Sequence, residues 1–308
     1  MERTRQLPQL AGDQMFVTDG GLETDLVFHH GIDLPHFAAF PLLEQPDGRD
    51  VLRRYYAGYV DIAREHGTGF VVESATWRAN TDWAERVGFS PRRLDAVNRA
   101  AIELAEEVRA SAALVGIAAV VSGCVGPREQ PMTAAEAQDY HAAQIGAFAQ
   151  TTADQVTAVT INDAEEAVGI VKAAMAVNIP AAVSFTVETN GRLATGQTLQ
   201  AAIEQVDAET GEGAAYFMVN CAHPTHLATS FDDDGAWLRR VVGLRLNAST
   251  RSHADLDDAE DLDEGDPEDF GAATAALWQR LPAATVLGGC CGTDARHVAA
   301  IFRLLASQ

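Results

Sequence analysis

The chain has 308 residues, 47% of them hydrophobic, enough for one large domain or two small ones and ample to bury a real core. Lys and Arg number 22 against 44 Asp and Glu, and a net charge of -22 repels phosphate backbones and anionic bilayers, so neither nucleic acid nor membrane is an expected partner. Four cysteines, two of them adjacent and none in a disulfide-dense pattern, fit a reducing cytoplasm with free or metal-bound thiols.

The first eight residues are charged and are not followed by the apolar core of a secretion signal. From there short apolar runs alternate with helical patterns. Eight runs read as strands: Met15 to Thr18, Gly69 to Glu73, Leu114 to Ser122, Gln155 to Thr160, Ala181 to Thr186, Ala214 to Cys221, Val241 to Leu246 and Ala284 to Leu287. Most are rich in Val, Ile, Phe or Ala, as expected of parallel strands covered on both faces. The longest uncharged stretch, Ala110 to Pro127, is too short to span a bilayer and reads as a buried strand.

Between the runs, helix starts are recognisable. Ser90-Pro91 sets a cap before a first-turn proline, and Leu94, Val97, Ala101, Leu104 and Val108 recur on one face. Thr133 with Glu136 forms a capping box. Asp163, Asp266-Pro267 and Thr293-Asp294 open three further helices. Eight strand-then-helix units predict a single (β/α)8 barrel of the TIM type over residues 1–308, with a doubly wound sheet as the weaker alternative. No glycine fingerprint for a dinucleotide or a P-loop is present. Ten carboxylates between Asp255 and Asp269 lack the glycine placement of a calcium loop and read as a solvated acidic loop.

In a barrel the chemistry sits where strands end. Strand one ends in Thr18-Asp19-Gly20-Gly21, strand two in Glu73-Ser74-Ala75-Thr76-Trp77, strand three in Gly123-Cys124, strand seven in Asn247, and strands six and eight deliver Cys221, Cys290 and Cys291. Glycines on both sides of Cys290-Cys291 leave the backbone free to aim both sulfurs one way, and adjacent cysteines rarely pair with each other. With Cys221 as third ligand, the set is that of an open zinc site whose fourth position takes substrate or water. Cys124 reads as a small core residue, His223 and His226 as the opening of the next helix, His297 as a helix residue, and Trp83 as packing as readily as binding.

These segments resemble the homocysteine S-methyltransferase family over nearly the whole chain. Thr18 to Thr24 resembles its opening motif, Glu73 to Asn80 its Glu-Thr-Asn-Thr-Phe segment and Ser184-Phe185-Thr186 its fifth strand. Asn220-Cys221 with Gly288 to Thr293 resembles its zinc signature. The resemblance implies Zn2+ held by Cys221, Cys290 and Cys291, Asp19 helping to hold an amino-acid substrate, and methyl transfer from S-methylmethionine or S-adenosylmethionine to homocysteine, giving methionine. No catalytic group is implied beyond the zinc-activated thiolate, and Trp77 is placed to receive a sulfonium by a cation-π contact. One departure bears on the acceptor: Val159 stands where the family carries a Glu for the substrate's ammonium, and Glu73 or Glu188 would have to compensate. Two other readings therefore stand beside this one: the same chemistry on a different thiol, and a noncatalytic barrel that holds zinc or senses thiol oxidation.

Overall fold

Eight parallel strands close on themselves in sequence order in the computed structural model, which describes residues 7–232, 235–257, 259 and 261–306. The first six residues, and positions 258 and 260 of the acidic run, lie outside that set. The strands are β1 Phe16–Val17, β2 Gly69–Glu73, β3 Ala119–Val125, β4 Gln155–Ile161, β5 Ala181–Phe185, β6 Tyr216–Asn220, β7 Val241–Leu246 and β8 Val286–Gly289. The (β/α)8 barrel is thus the observed architecture. Closure runs through β1, which is two residues long and pairs Val17 with Phe70 of β2 on one side and with Leu287 of β8 on the other.

The helices are α1 Leu22–Thr24, α2 Pro46–His66, α3 Thr81–Arg86, α4 Pro91–Leu114, α5 Ala134–Ala149, α6 Ala164–Ala176, α7 Leu199–Thr210, α8 His253–Asp257, α9 Pro267–Trp278 and α10 Ala295–Leu305. Their starts follow the sequence signals. Ser90 Oγ accepts from Arg93 N, Thr133 and Glu136 form the reciprocal box, and Asp163, Asp266 and Asp294 cap α6, α9 and α10.

Two expectations are corrected. The third apolar run predicts a strand from Leu114, but Ala110–Leu114 is the last turn of α4, Leu114 is exposed, and β3 begins at Ala119. Gly116, with φ of +81°, makes the break that an uninterrupted apolar run conceals. After β6 the described chain carries only two 3-10 turns, Pro224–Leu227 and Ala236–Arg240, so His223 opens a short turn and not a full helix.

Strand residues alternate between two environments, as a period of two requires. Val72, Val121, Val183, Val219 and Leu244 face the helices and join the main core. Phe16, Val71, Val120, Ala182, Tyr216, Val242 and Val286 face inward and fill the lower barrel. Gln9 plugs the bottom: its amide donates to Gln155 Oε1 (2.9 Å), which also accepts from the Tyr216 hydroxyl (3.2 Å). Two residues further along the inward faces the character turns polar, with Glu73, Ser122 and Thr157, and Arg245 at the same upper level of β7. The closed end of the barrel is built to pack, and the open end to bind.

Candidate active site

A cavity of about 510 Å3 opens at the C-terminal ends of the strands. Cys221, Cys290 and Cys291 share one wall, and Asp19, Glu23, Glu73, Trp77, Cys124, Val159, Asn220 and Arg245 line the rest. The sequence-predicted residues of five strand ends are brought together there.

The thiol wall follows from the approach of β8 to its neighbours. Thr18 N donates to Leu287 O and Gly289 N to Asp19 O, which draws the ends of β1 and β8 together. A Cβ on Gly288 would collide with Thr18 Oγ1, so only glycine fits that seam. Cys290 N donates to Leu246 O (2.8 Å) and Thr293 N returns to Cys290 O (3.0 Å), tying the two-cysteine turn down. Cys221 adopts φ of +52°, a left-handed conformation that a β-carbon disfavours. Its carbonyl holds that turn by accepting from His253 Nε2 (2.6 Å), Asn247 Nδ2 (3.2 Å) and Thr186 Oγ1 (3.3 Å).

The three sulfurs lie within 4.8 Å of one another. Cys221 Sγ stands 3.6 Å from Cys291 Sγ, close to the separation of about 3.8 Å that tetrahedral ligands at about 2.3 Å from a zinc ion adopt. Cys221 and Cys290 are joined as a disulfide, so the expectation of free or metal-bound thiols fails for that pair. The reason is the convergence itself: sulfurs aimed at one point are equally placed to ligate a cation or, without reducing equivalents, to bond to each other. In the reduced form the donor set and its spacing fit zinc. Asn220 Nδ2 faces Cys290 Sγ at 3.6 Å, an N–H···S contact of the kind that supports a ligating thiolate.

Beside the thiols, along the ends of β7, β1 and β2, the cavity is lined by buried charged groups. Asp19 is buried, with Oδ1 accepting from Arg245 Nη2 (2.5 Å) and Oδ2 from the Tyr55 hydroxyl (3.2 Å). Burial pushes its pKa up, against the pull of Arg245 and Tyr55. Glu73 is 4% exposed, and neither of its oxygens makes a hydrogen bond. Burial raises it to about 7, although Arg245 and the nearby Thr157 and Ser122 hydroxyls pull the other way. Glu23, partly exposed and lining the cavity, is also held at about 7 by burial.

Val159 faces the cavity from a β-bulge, where the β4–β5 register shifts between Ala158 and Ile161 and Thr160 takes φ of +63°. Asn220 locks the bulge, accepting from Thr160 N (2.8 Å) and donating to Thr160 Oγ1 (3.0 Å). Trp77 lines the mouth together with Phe28 and Phe37, and the Arg78 guanidinium stands 4.7 Å over the Trp77 ring and 3.8 Å over that of Trp83.

Several residues set aside in the sequence keep their modest roles. His223 caps its turn, His226 Nε2 donates to Thr250 O (3.0 Å), and His297 is buried as part of the α10 cap. Glu188 pairs with His253 and does not line the cavity. Cys124 is buried and also reaches the cavity, where burial pushes its thiol well up. The acidic run is more than a solvated loop, because Leu256, Ala259, Asp261, Leu262 and Asp263 line the cavity. Arg245, Tyr55, Glu23 and this part of the lining are not legible as site residues in the sequence. The one available signal was a lone charge inside the apolar run Val241 to Leu246.

The homocysteine S-methyltransferase family profile matches residues 16–305. No curated protein matches the chain. Among solved structures it resembles the homocysteine methyltransferase MmuM from Escherichia coli. The metallated form gives a TM-score of 0.69 at 19% identity over 95% of this chain and 96% of that one. The oxidised form gives 0.69 at 19% identity over 96% and 97%, and the apo form 0.64 at 19% over 94% and 95%. At that identity the likeness is one of fold.

Proposed function

The chain belongs to the homocysteine S-methyltransferase family, and from that premise we propose that it is a zinc-dependent enzyme that moves a methyl group from a sulfonium, S-methylmethionine or S-adenosylmethionine, to the thiol of homocysteine. The observation that carries the reading is the convergence of three cysteine sulfurs on one wall of a cavity whose other walls bear buried carboxylates. Cys221, Cys290 and Cys291 would hold the metal. A zinc ion in such a set supplies a Lewis-acidic position that keeps an incoming thiol ionised at neutral pH, where a free thiol with pKa about 8.5 is mostly protonated.

The chain's own residues orient and exclude. Asp19, fixed by Arg245 and Tyr55, and Glu73 face the acceptor side. Trp77, with Phe28 and Phe37, offers the donor an aromatic mouth suited to a sulfonium. Leu256, Ala259 and Leu262 add apolar lining that would limit water. In the transfer, a sulfur lone pair of the acceptor forms the new S–C bond, the donor's S–CH3 pair returns to its sulfur as a neutral thioether, and the thiol proton leaves to solvent. Holding the two sulfurs and the carbon in line is the main service of such a cavity. The reading places the working enzyme in a reducing compartment such as the cytoplasm, since the ligand set requires Cys221 and Cys290 as thiolates.

The noncatalytic, thiol-sensing reading has one observation in its favour, the Cys221–Cys290 disulfide. It leaves the buried carboxylates unexplained. The deciding experiment loads the reduced protein with zinc and offers homocysteine with each sulfonium. The expected results are one zinc per chain and methionine as product, both lost in Cys291→Ala while circular dichroism stays that of a folded barrel. Absence of zinc uptake and of methionine would reject the enzyme; full activity in Cys291→Ala would reject the ligand set.

A further inference from the structure

Two buried, oppositely charged groups at the floor of the cavity have unused bonding capacity. Glu73 lies at the end of β2 with both carboxylate oxygens unpartnered. Arg245, on β7, is 7% exposed; it donates through Nη2 to Asp19 and leaves Nε buried without an acceptor. Both line the same cavity as the three cysteines, yet no hydrogen bond joins them. An unpaired polar group in a dry site is costly, and a carboxylate and a guanidinium left open together call for a partner that carries both opposite charges.

Asp19 is a poor candidate for a substrate cation. One of its oxygens already faces a guanidinium and the other a tyrosine hydroxyl. Val159, across the floor, offers only methyl groups. Glu23 is partly exposed and has no buried unpartnered oxygen, so its carboxylate has less need of a partner than that of Glu73.

Resting on the methyl-transfer reading above, we propose that the site recognises its thiol acceptor as a zwitterionic α-amino acid, with the ammonium received by Glu73 and the carboxylate by the Nε edge of Arg245. Arg245 is then the specificity-determining residue. It takes Asp19 out of substrate binding and in exchange presents a planar edge matched to a carboxylate, so the ammonium is read by β2 and not by β1 or β4. The side chain joining the amino-acid head to the thiol runs past Val159, whose apolar surface suits methylenes.

The test uses the reduced, zinc-loaded protein and three acceptors: homocysteine, 3-mercaptopropylamine, which lacks the carboxylate, and 4-mercaptobutyrate, which lacks the ammonium. In the wild type each truncated thiol should lose about ten- to hundred-fold in kcat/KM, as expected for a charge-assisted hydrogen bond. Arg245→Lys keeps a positive charge beside Asp19 but lacks the guanidinium's second edge. It should lower the use of homocysteine and of 4-mercaptobutyrate by about ten-fold more than that of 3-mercaptopropylamine. Glu73→Gln should give the converse pattern. Equal losses on all three thiols in both variants would mean a structural role and overturn the assignment. Should either variant fail to fold, wild-type inhibition by methionine, 3-(methylthio)propylamine and 4-(methylthio)butyrate asks the same question, and equal inhibition by all three overturns it. A wild type that methylates all three thiols alike refutes the head-group reading but leaves methyl transfer standing. A wild type that methylates no thiol refutes methyl transfer itself.

Discussion

Glu73 shows how a binding residue burdens the fold that carries it. Its folded pKa is raised by burial from 4.5 to about 7, so between those values the native state binds more protons than the unfolded chain. The associated stability is fully present below the unfolded value and is lost as pH rises through 7. Glu73→Gln cannot ionise. It should therefore gain on the wild type between pH 5 and pH 8, by on the order of 3 kcal/mol for a shift of this size. Urea unfolding of both proteins at the two pH values checks this, and a constant difference would mean that Glu73 finds a charge partner in the native state. Legibility at this scale divided along the chain's own locality. Cys290 and Cys291 announce themselves within six residues, and Cys221, Glu73 and Trp77 fall at visible strand ends. Arg245 acquires meaning only once barrel closure sets the ends of β7 and β1 on either side of β8, because its partner Asp19 lies 226 positions away.

Caps were the most legible elements, since their chemistry is local. Thr133 Oγ1 accepts from Glu136 N (3.4 Å), and Glu136 Oε2 accepts from Thr133 N (2.9 Å) and from its hydroxyl (2.8 Å). Thr133→Ala should cost about 1 kcal/mol in a denaturant melt, with activity per folded molecule unchanged because Thr133 does not line the cavity. No loss of stability would show that solvent satisfies the exposed amides equally well. Less legible was the step from α4 to β3. Ala110 to Val125 carries no charge, and an apolar run of that composition suits a helix end and a strand alike. The bulge at Thr160 was invisible, because it is imposed from outside by Asn220 on another strand. The missing helix between β6 and β7 has the same character, since a barrel counted by its strands is complete without it.

For the whole molecule, the Cys221–Cys290 disulfide and a metal exclude one another, because both need the same sulfurs. Protein prepared with oxidant should take up no zinc, and after thiol reduction it should bind one per chain, as elemental analysis of the desalted protein would report. Stoichiometric uptake by the oxidised protein would move the metal to another site. Adding chelator to the reduced protein should abolish transfer while leaving most of the melting temperature, because the core lies between strands and helices and not at the rim.

The two-residue β1 carries a consequence for how the molecule fails. Barrel closure depends on Phe16 and Val17, whose β8 partners lie some 270 positions away in sequence. That long loop must close before the seam returns any stabilisation, whereas β3 to β6 pair between near neighbours and do not wait for it. The seam is thus suited to be the first cooperative unit to part, and it holds Asp19 against β7 and the Cys290-Cys291 turn against β1. In rising denaturant the acceptor floor and the thiol wall should come apart together while most helices persist. Activity would then vanish ahead of the far-ultraviolet signal, as the behaviour of a hinged ring and not of a rigid shell.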